Sequence, residues 1–259
     1  MGTFEFDGEK YRSASKHQKE WGSDLIAEIS FEGNEAVLDL GCGDGILTER
    51  LARFVPHGTV LGIDASVHML KIAETIHKNN LKFACLDINK MNYTDEFDLV
   101  FSNAALHWVK DHKKLLKNAY RALKVNGKIW WDFGGSGNCA NFFDVIKMKI
   151  SKDNYVKYFT DYEWPWFMPS KEQYTELIAE AGFASWTIRE LNRDRYFSDT
   201  SEMIRWIDQP SLVPFIKQIP QELKETFRRE VIEEMVKRTQ QPDGTCFETF
   251  RRIRICAGK

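Results

Sequence analysis

The stretch AVLDLGCGDGILTERLARFV, residues 36–55, joins a short apolar run to an amphipathic segment through a turn that contains three glycines. Its first five residues, AVLDL, have the length and apolar character of a buried strand. In residues 46–55, apolar side chains recur at the spacing of one helical face. A strand that passes through a tight glycine turn into a helix predicts the first unit of a parallel α/β sheet.

Strand-like runs and helical patterns alternate through most of the remaining chain. Further strands are predicted at 59–64, 81–87, 97–104, 126–133, 185–191 and 247–257. Helix starts are marked by the capping residues Ser66, Asp111 and Ser170, the last with Gln173 in a capping box. Such alternation places helices on both faces of a sheet. The predicted fold class is therefore α/β, a doubly wound, mostly parallel seven-stranded sheet of Rossmann-like type.

The alternation breaks after residue 133, and the later segments predict a helical, aromatic-rich cap on the sheet. Residues 155–167 are too rich in aromatic side chains for a disordered linker. We predict one domain, 1–259, with a core of about 30–137, 170–196 and 245–259, cap insertions at about 138–169 and 197–244, and an N-terminal segment, 1–29, that covers the site. Ligands of doubly wound sheets bind at the carboxyl ends of the strands, so a cover there would act as a lid.

Charge and composition exclude several classes of protein. The net charge of -2 and the pI of about 6.3 provide no basic field for a nucleic acid, and the arginines near residue 251 are interpreted as a solvated face. The five cysteines are scattered without a CxxC pair, which argues against disulfides and a zinc site. No run approaches the roughly 18 apolar residues of a membrane span. We expect a cytoplasmic protein, a monomer or weak homodimer, with no nucleic-acid or membrane partner.

Three types of ligand compete for the glycine turn that follows Asp39. Gly41, Gly43 and Gly45 permit positive φ and let a ligand touch the backbone, and the helix N-terminus beyond them favours negative charge. A P-loop needs Lys and Ser/Thr after its last glycine, but Ile46 follows here. A dinucleotide fingerprint, G-x-G-x-x-G, would need its third glycine at position 46. The spacing is instead G-x-G-x-G, with an aspartate two residues upstream.

The form D-x-G-x-G-x-G, residues 39–45, resembles motif I of the class I S-adenosylmethionine-dependent methyltransferases, and the resemblance covers about residues 37–133. It implies the class I methyltransferase fold, with S-adenosylmethionine as the cofactor. By this resemblance Asp64 would hold the two ribose hydroxyls and Asp87 the adenine amino group. The implied cofactor-binding residues are Asp39, Gly41, Gly43, Gly45, Asp64, Ala65, Asp87, Ile88, Ser102, Asn103 and Ala104. A Rossmann dehydrogenase, which also uses a strand-end acid, is the competing alternative.

A second, narrower resemblance concerns the methyl acceptor. Four N-terminal residues are similar to the corresponding segment of juvenile hormone acid methyltransferases: Tyr11, Ala14, Ser15 and Gln18. The segment NAALHWVKDH, residues 103–112, is similar to trans-aconitate methyltransferases. The segment MIRWIDQPSLVPFI, residues 203–216, resembles the cap helix of the same group, except at positions 209 and 210. These segments imply the branch that methylates small carboxylic acids on oxygen.

The chemistry of methyl transfer from a sulfonium to a carboxylate supports this branch. A carboxylate is already ionised near neutral pH, so the protein needs no general base and has to position the reactants and exclude water. The neutral donors Gln18 and Trp108 can orient a carboxylate without damping its reactivity as an arginine would. We therefore predict Gln18, His107 and Trp108 as catalytic residues, and Tyr11, Gln18, Trp108 and Trp206 as acceptor-binding residues.

His107 leaves the acceptor chemistry open. It could act as a neutral donor beside Trp108, or as the base for a nitrogen, sulfur or hydroxyl acceptor, a role that a lid tyrosine could also take. A third hypothesis is a cofactor-binding protein without enzymatic activity, whose lid serves a partner. His107 and His112 share no helical face and the reaction needs no metal, so no metal site is predicted. His112 is interpreted as a surface residue at the start of the helix that Asp111 caps.

Overall fold

The computed structural model describes residues 16–259, and nine strands lie within them. The strands are β1 (Ala36–Leu40), β2 (Thr59–Asp64), β3 (Leu81–Cys85), β4 (Phe97–Asn103), β5 (Leu123–Gly134), β6 (Ser185–Asn192), β7 (Arg195–Phe197), β8 (Cys246–Glu248) and β9 (Arg251–Gly258). The runs AVLDL and TVLGID form β1 and β2 over the full predicted lengths, because both are apolar and flanked by turns.

Seven of these strands form one sheet in the order β3-β2-β1-β4-β5-β9-β6. Neighbouring strands from β3 to β5 are parallel, whereas β9 lies antiparallel between β5 and β6. The prediction of a doubly wound, mostly parallel seven-stranded sheet is confirmed. The short strands β7 and β8 pair separately as an antiparallel ribbon.

Nine α-helices connect and cover the described strands. They are α1 (Lys16–Ala27), α2 (Ile46–Phe54), α3 (Val67–Ala73), α4 (His112–Ala122), α5 (Ala140–Ile150), α6 (Lys171–Ala179), α7 (Thr200–Trp206), α8 (Val213–Ile216) and α9 (Gln221–Thr239). Single turns of 3-10 helix cover Ile88–Lys90, Leu106–Trp108 and Val156–Tyr158, and a π-helical turn covers Ile207–Ser211. Within residues 16–259, none of the helices is both long and apolar enough to cross a membrane.

Side-chain caps begin the helices where the sequence predicts them. Ser66 accepts a hydrogen bond from the backbone N–H of Met69, and Asp111 accepts one from Lys114. Ser170 and Gln173 form the predicted capping box at the start of α6. Each cap satisfies a backbone donor that the first helical turn leaves without a partner, and so sets where its helix starts.

Apolar side chains form separate cores on the sheet and in the cap. The two faces of the sheet bury one cluster each, centred on Trp131 and on Phe101. A third cluster, centred on Phe142 and Phe215, draws mainly on the segments predicted as cap insertions. The carboxylate of Glu248 joins α5 to the β7–β8 ribbon, since it accepts the backbone N–H groups at the start of α5 at 2.9 and 3.1 Å.

His112 is buried, and its interpretation as a surface residue is wrong. Its Nδ1 lies 3.1 Å from the hydroxyl of Tyr174 in α6, and its Nε2 lies 3.0 Å from the carbonyl oxygen of Leu106. The first turn of α4 packs against α6 in the fold, and a contact across 62 residues of chain leaves no periodic signal in the sequence.

Candidate active site

The turn between β1 and α2 brings its backbone to the carboxyl end of the sheet. Gly41, Gly43 and Gly45 have φ values of +73°, +56° and +78°, in the left-handed region that favours glycine. A Cβ on Gly41 would lie 2.3 Å from the Cβ of Ala105, and one on Gly45 would lie 2.7 Å from the ring of Phe83. The turn can therefore adopt this shape only with glycine at the first and third positions.

A cavity with a volume of about 680 Å³ opens beside this turn, at the carboxyl ends of β1, β2 and β4. Its size is within the range of sites for small molecules and cofactors. Eight of the predicted cofactor-binding residues line it: Gly41, Gly43, Asp64, Ala65, Asp87, Ile88, Asn103 and Ala104. Residues 157–165 of the cap contribute much of the opposite wall.

The two strand-end carboxylates are held by backbone donors. Asp64 accepts the N–H of Gly43 at 2.9 Å through Oδ2 and the N–H of Ser66 at 2.8 Å through Oδ1. Asp87 accepts the backbone N–H of Asn89 at 2.9 Å. These contacts fix each carboxylate in the cavity wall, where each oxygen can still accept from a ligand hydroxyl or amino group.

Three predicted cofactor-binding residues, Asp39, Gly45 and Ser102, lie behind the cavity wall. The carboxylate of Asp39 is buried and accepts a hydrogen bond of 2.7 Å from the hydroxyl of Thr48. Burial raises the pKa of Asp39 to about 7, against the opposing effect of the Thr48 hydrogen bond. Ser102 donates to the carbonyl oxygen of Leu40 at 2.7 Å and so joins β4 to β1. These residues hold the strand ends rather than face the cavity.

A smaller pocket of about 60 Å³, which we call the inner pocket, shares Ala104 and Trp108 with the cavity. Gln18, His107, Trp108 and Trp206 all line it, so the predicted catalytic and acceptor-binding residues within 16–259 lie together. Trp108 is positioned by the ring of Trp166, with centroids 5.1 Å apart. The remaining prediction, Tyr11, lies outside the described residues.

Both histidines of the inner pocket are poor bases. Burial, followed by the charge of Arg252, lowers the pKa of His107 to about 3. Burial, followed by the charges of Arg195 and Arg252, lowers the pKa of His17 to about 3. Both imidazoles are therefore neutral near pH 7, and a group with such a low pKa captures a proton poorly.

The inner pocket contains a buried arginine that the sequence patterns did not predict. Arg252 lines it and is only 4% exposed, and Arg254 beside it is also buried, so the interpretation of these arginines as a solvated face is wrong. Both pair with the buried carboxylate of Asp132. The available signal was the alternation in RRIRICA, residues 251–257, which places Arg252 and Arg254 on the same face of a largely apolar strand. A buried arginine requires a partner, so this pattern indicated an ion pair.

A parallel sheet with a glycine turn and two strand-end carboxylates around one cavity defines the Rossmann-like class of cofactor-binding folds. A family model described as a methyltransferase domain matches residues 38–131. An uncharacterized methyltransferase of Schizosaccharomyces pombe is 30% identical over 264 residues, which cover 97% of this chain and 99% of that protein. The chain belongs to the class I S-adenosylmethionine-dependent methyltransferases.

Two further comparisons agree with this membership. The trans-aconitate 2-methyltransferase of Mycobacterium tuberculosis is 26% identical over 256 residues, 97% of this chain and 96% of that protein. The crystal structure of a candidate methyltransferase of Bacillus halodurans has a TM-score of 0.61 and 23% identity, and the match covers 92% of this chain and 98% of that one. The structural likeness supports the fold.

Proposed function

We propose that this protein transfers the methyl group of S-adenosylmethionine to a carboxylate oxygen of a small or medium organic acid. The observation that carries the proposal is the polar lining of the inner pocket. Within residues 16–259 this lining contains amide, indole, hydroxyl, neutral imidazole and guanidinium groups and no carboxylate. A pocket of this composition attracts an anionic group and offers no strong base.

The large cavity fits S-adenosylmethionine, which supplies an electrophilic methyl group when it is bound. Gly41 brings the backbone of the turn into the cavity wall, and Asp64 and Asp87 present carboxylates at the strand ends. In this proposal Asp64 binds the ribose hydroxyls, Asp87 binds the adenine amino group, and Ala65 and Ile88 flank the base. Asn103 and Ala104 would lie beside the reacting end. Asp39, Gly45 and Ser102 would act indirectly, through the shape of the loop and strand ends.

The residues of the inner pocket orient the acceptor and keep water out. Trp108 and Gln18 carry N–H donors that can hold a carboxylate oxygen in line with the sulfonium C–S bond. The new O–C bond forms as the C–S bond breaks and its electron pair stays on sulfur, so an anion and a cation give two neutral products. The surrounding rings of Trp166, Phe143 and Trp206 exclude water, which would otherwise stabilise the carboxylate before reaction.

The alternative acceptors are less well supported. A nitrogen, sulfur or hydroxyl acceptor must lose a proton, but the pKa of His107 is lowered to about 3. Tyr158 and Tyr162 of the lid both line the cavity, and burial raises the pKa of Tyr162, which therefore stays protonated. Neither His107 nor Tyr162 is suited to act as the base. The name of the M. tuberculosis relative adds support for an acid as acceptor.

The test is product analysis by mass spectrometry with a panel of short mono- and dicarboxylic acids, their primary amides, and matched amines and thiols. We expect methylated products from the acids only, as methyl esters, and turnover of the cofactor in proportion to the ester formed. Trp108→Phe, which keeps the ring contact but removes the indole N–H, should raise KM for the acid. His107→Gln should leave the shape of the pH-rate profile unchanged. Methylation of amines or thiols alone would contradict the proposal.

A further inference from the structure

Arg252 reaches the inner pocket from the second residue of strand β9. Its Nε donates to Oδ1 of Asp132 at 2.6 Å, and its Nη2 donates to the carbonyl oxygen of the same residue at 2.9 Å. Nη2 also lies 3.4 Å from Oδ1 of Asn103. Among residues 16–259, Nη1 of Arg252 has no hydrogen-bond acceptor. A guanidinium keeps its charge at all relevant pH values, so an N–H edge without an acceptor on a side chain that is only 4% exposed indicates a place for a ligand.

Other groups around the same pocket also lack partners within the described part of the chain. They are Nδ1 of His107, Nε2 of His17, Oε1 of Gln18 and Oδ1 of Asn138. Buried polar atoms are normally satisfied, and so many unmet atoms around one small pocket indicate that a polar group enters it. A volume of about 60 Å³ corresponds to roughly two water molecules, which is also the scale of one carboxylate group.

We propose that Arg252 binds the acceptor carboxylate through Nη1 and thereby selects acids over neutral molecules of the same shape. This assignment rests on the proposed function for its identification of the inner pocket as the acceptor site. Arg252 is the only cationic side chain among the described residues that line the pocket, because both histidines there are neutral. Asp132 is the positioning residue, since it holds Nε and Nη2 and leaves Nη1 directed elsewhere.

The surroundings of Arg252 also explain how an arginine can bind the carboxylate nucleophile without strongly lowering its reactivity. Arg252 and Arg254 share Asp132, and Arg254 also pairs with Glu28. Glu28 pairs in turn with Arg189, so three positive and two negative side chains form one cluster, and Arg189, the half-exposed member, is the most distant in the chain of contacts from Arg252. The carboxylate meets a directional N–H donor whose field is largely cancelled by Asp132, so it is oriented while it keeps most of its reactivity.

Calorimetric titration of the protein saturated with S-adenosylhomocysteine tests the assignment directly. Butyrate and succinate are the probes, with butyramide and succinamide as their neutral counterparts. The wild type is expected to bind the carboxylates about tenfold or more tightly than the amides, as one charge-assisted hydrogen bond allows. Arg252→Lys and Arg252→Gln should remove that preference. Equal binding of acid and amide by the wild type overturns the proposal, and this result needs no variant to fold.

Arg254→Lys is the matched control. Arg254 pairs with the same carboxylate, is equally buried, and does not line the inner pocket. It should keep the acid preference within threefold, with S-adenosylhomocysteine affinity unchanged in all variants that fold. An equal loss in both arginine variants would refute a direct role of Arg252. Carboxylates that bind through Arg252 but are never methylated would refute the proposed function and leave this assignment standing. An acid that is methylated by Arg252→Gln with unchanged KM would refute the assignment of Arg252 and leave the proposed function standing.

Discussion

Gly41→Ala is expected to weaken the binding of S-adenosylhomocysteine by about ten- to hundredfold. The new Cβ would lie 2.3 Å from the Cβ of Ala105, whereas carbon atoms pack at about 3.5–4.0 Å, so the turn must move by about 1.2 Å or more. Overpacking of this kind costs about 1–3 kcal/mol, and the left-handed φ of +73° adds about 1–2 kcal/mol for any residue with a side chain. Because Gly41 lines the cavity, the displacement falls on the surface that we propose binds the cofactor.

Gly244→Ala separates the two contributions to this loss. Gly244 has a similar φ of +87°, but a Cβ there meets no heavy atom within 4 Å. This variant should lose stability by the left-handed contribution alone and bind S-adenosylhomocysteine with wild-type affinity. Calorimetric titration measures affinity, and thermal unfolding measures stability. If Gly41→Ala binds within twofold of wild type, the clash with Ala105 does not displace the cavity wall at this turn, and the reasoning is refuted.

Two further predictions concern buried titratable groups. The folded-state pKa of His107 is about 3, below the ordinary value of 6.5, so its contribution to stability is present above pH 6.5 and is lost as the pH falls toward 3. When the pH falls from 7 to 5, the unfolding free energy of the wild type should decrease by about 2 kcal/mol more than that of His107→Gln, as measured by urea denaturation. Equal decreases in the two proteins would contradict the burial of a neutral imidazole. Thr48→Val removes the hydroxyl that donates to Asp39, whose pKa is about 7. It should destabilise the protein by about 1.5–3 kcal/mol at pH 8 and by less at pH 6, where Asp39 is protonated. Thr75→Val, which removes an exposed hydroxyl, is the control, and a pH-independent loss at Thr48 would refute the interpretation.

The sheet and the cofactor turn were predictable because their signals are local. In residues 36–55 one contiguous stretch contains the strand, the turn and the helix, and the glycine spacing is explained by the φ values at Gly41 and Gly45. The predicted acceptor residues Gln18, Trp108 and Trp206 lie around one pocket, although no spacing in the sequence brings them together. Their prediction depended on resemblance to known methyltransferases rather than on periodicity.

The surroundings of Arg252 and His112 were not predicted because they are formed by distant segments. Arg252 pairs with Asp132 across 120 residues, and His112 pairs with Tyr174 across 62. A charged side chain in a sequence is interpreted as exposed unless its partner is known, and the partner depends on the strand order. The antiparallel position of β9 between β5 and β6 decides that order, and neither neighbour is adjacent to β9 in the chain.

The position of β9 also sets the order in which the protein can become active during synthesis. The strands β1 to β5 are synthesised before residue 135, and β1 to β4 pair only within this group, whereas β5 pairs with β4 on one side and with β9 on the other. The inner pocket lacks its guanidinium until β9 has been made and has entered the sheet beside β5. A nascent chain can therefore pair β1 to β5 before β9 completes the inner pocket, so the acceptor site that we propose forms later than the parallel part of the sheet.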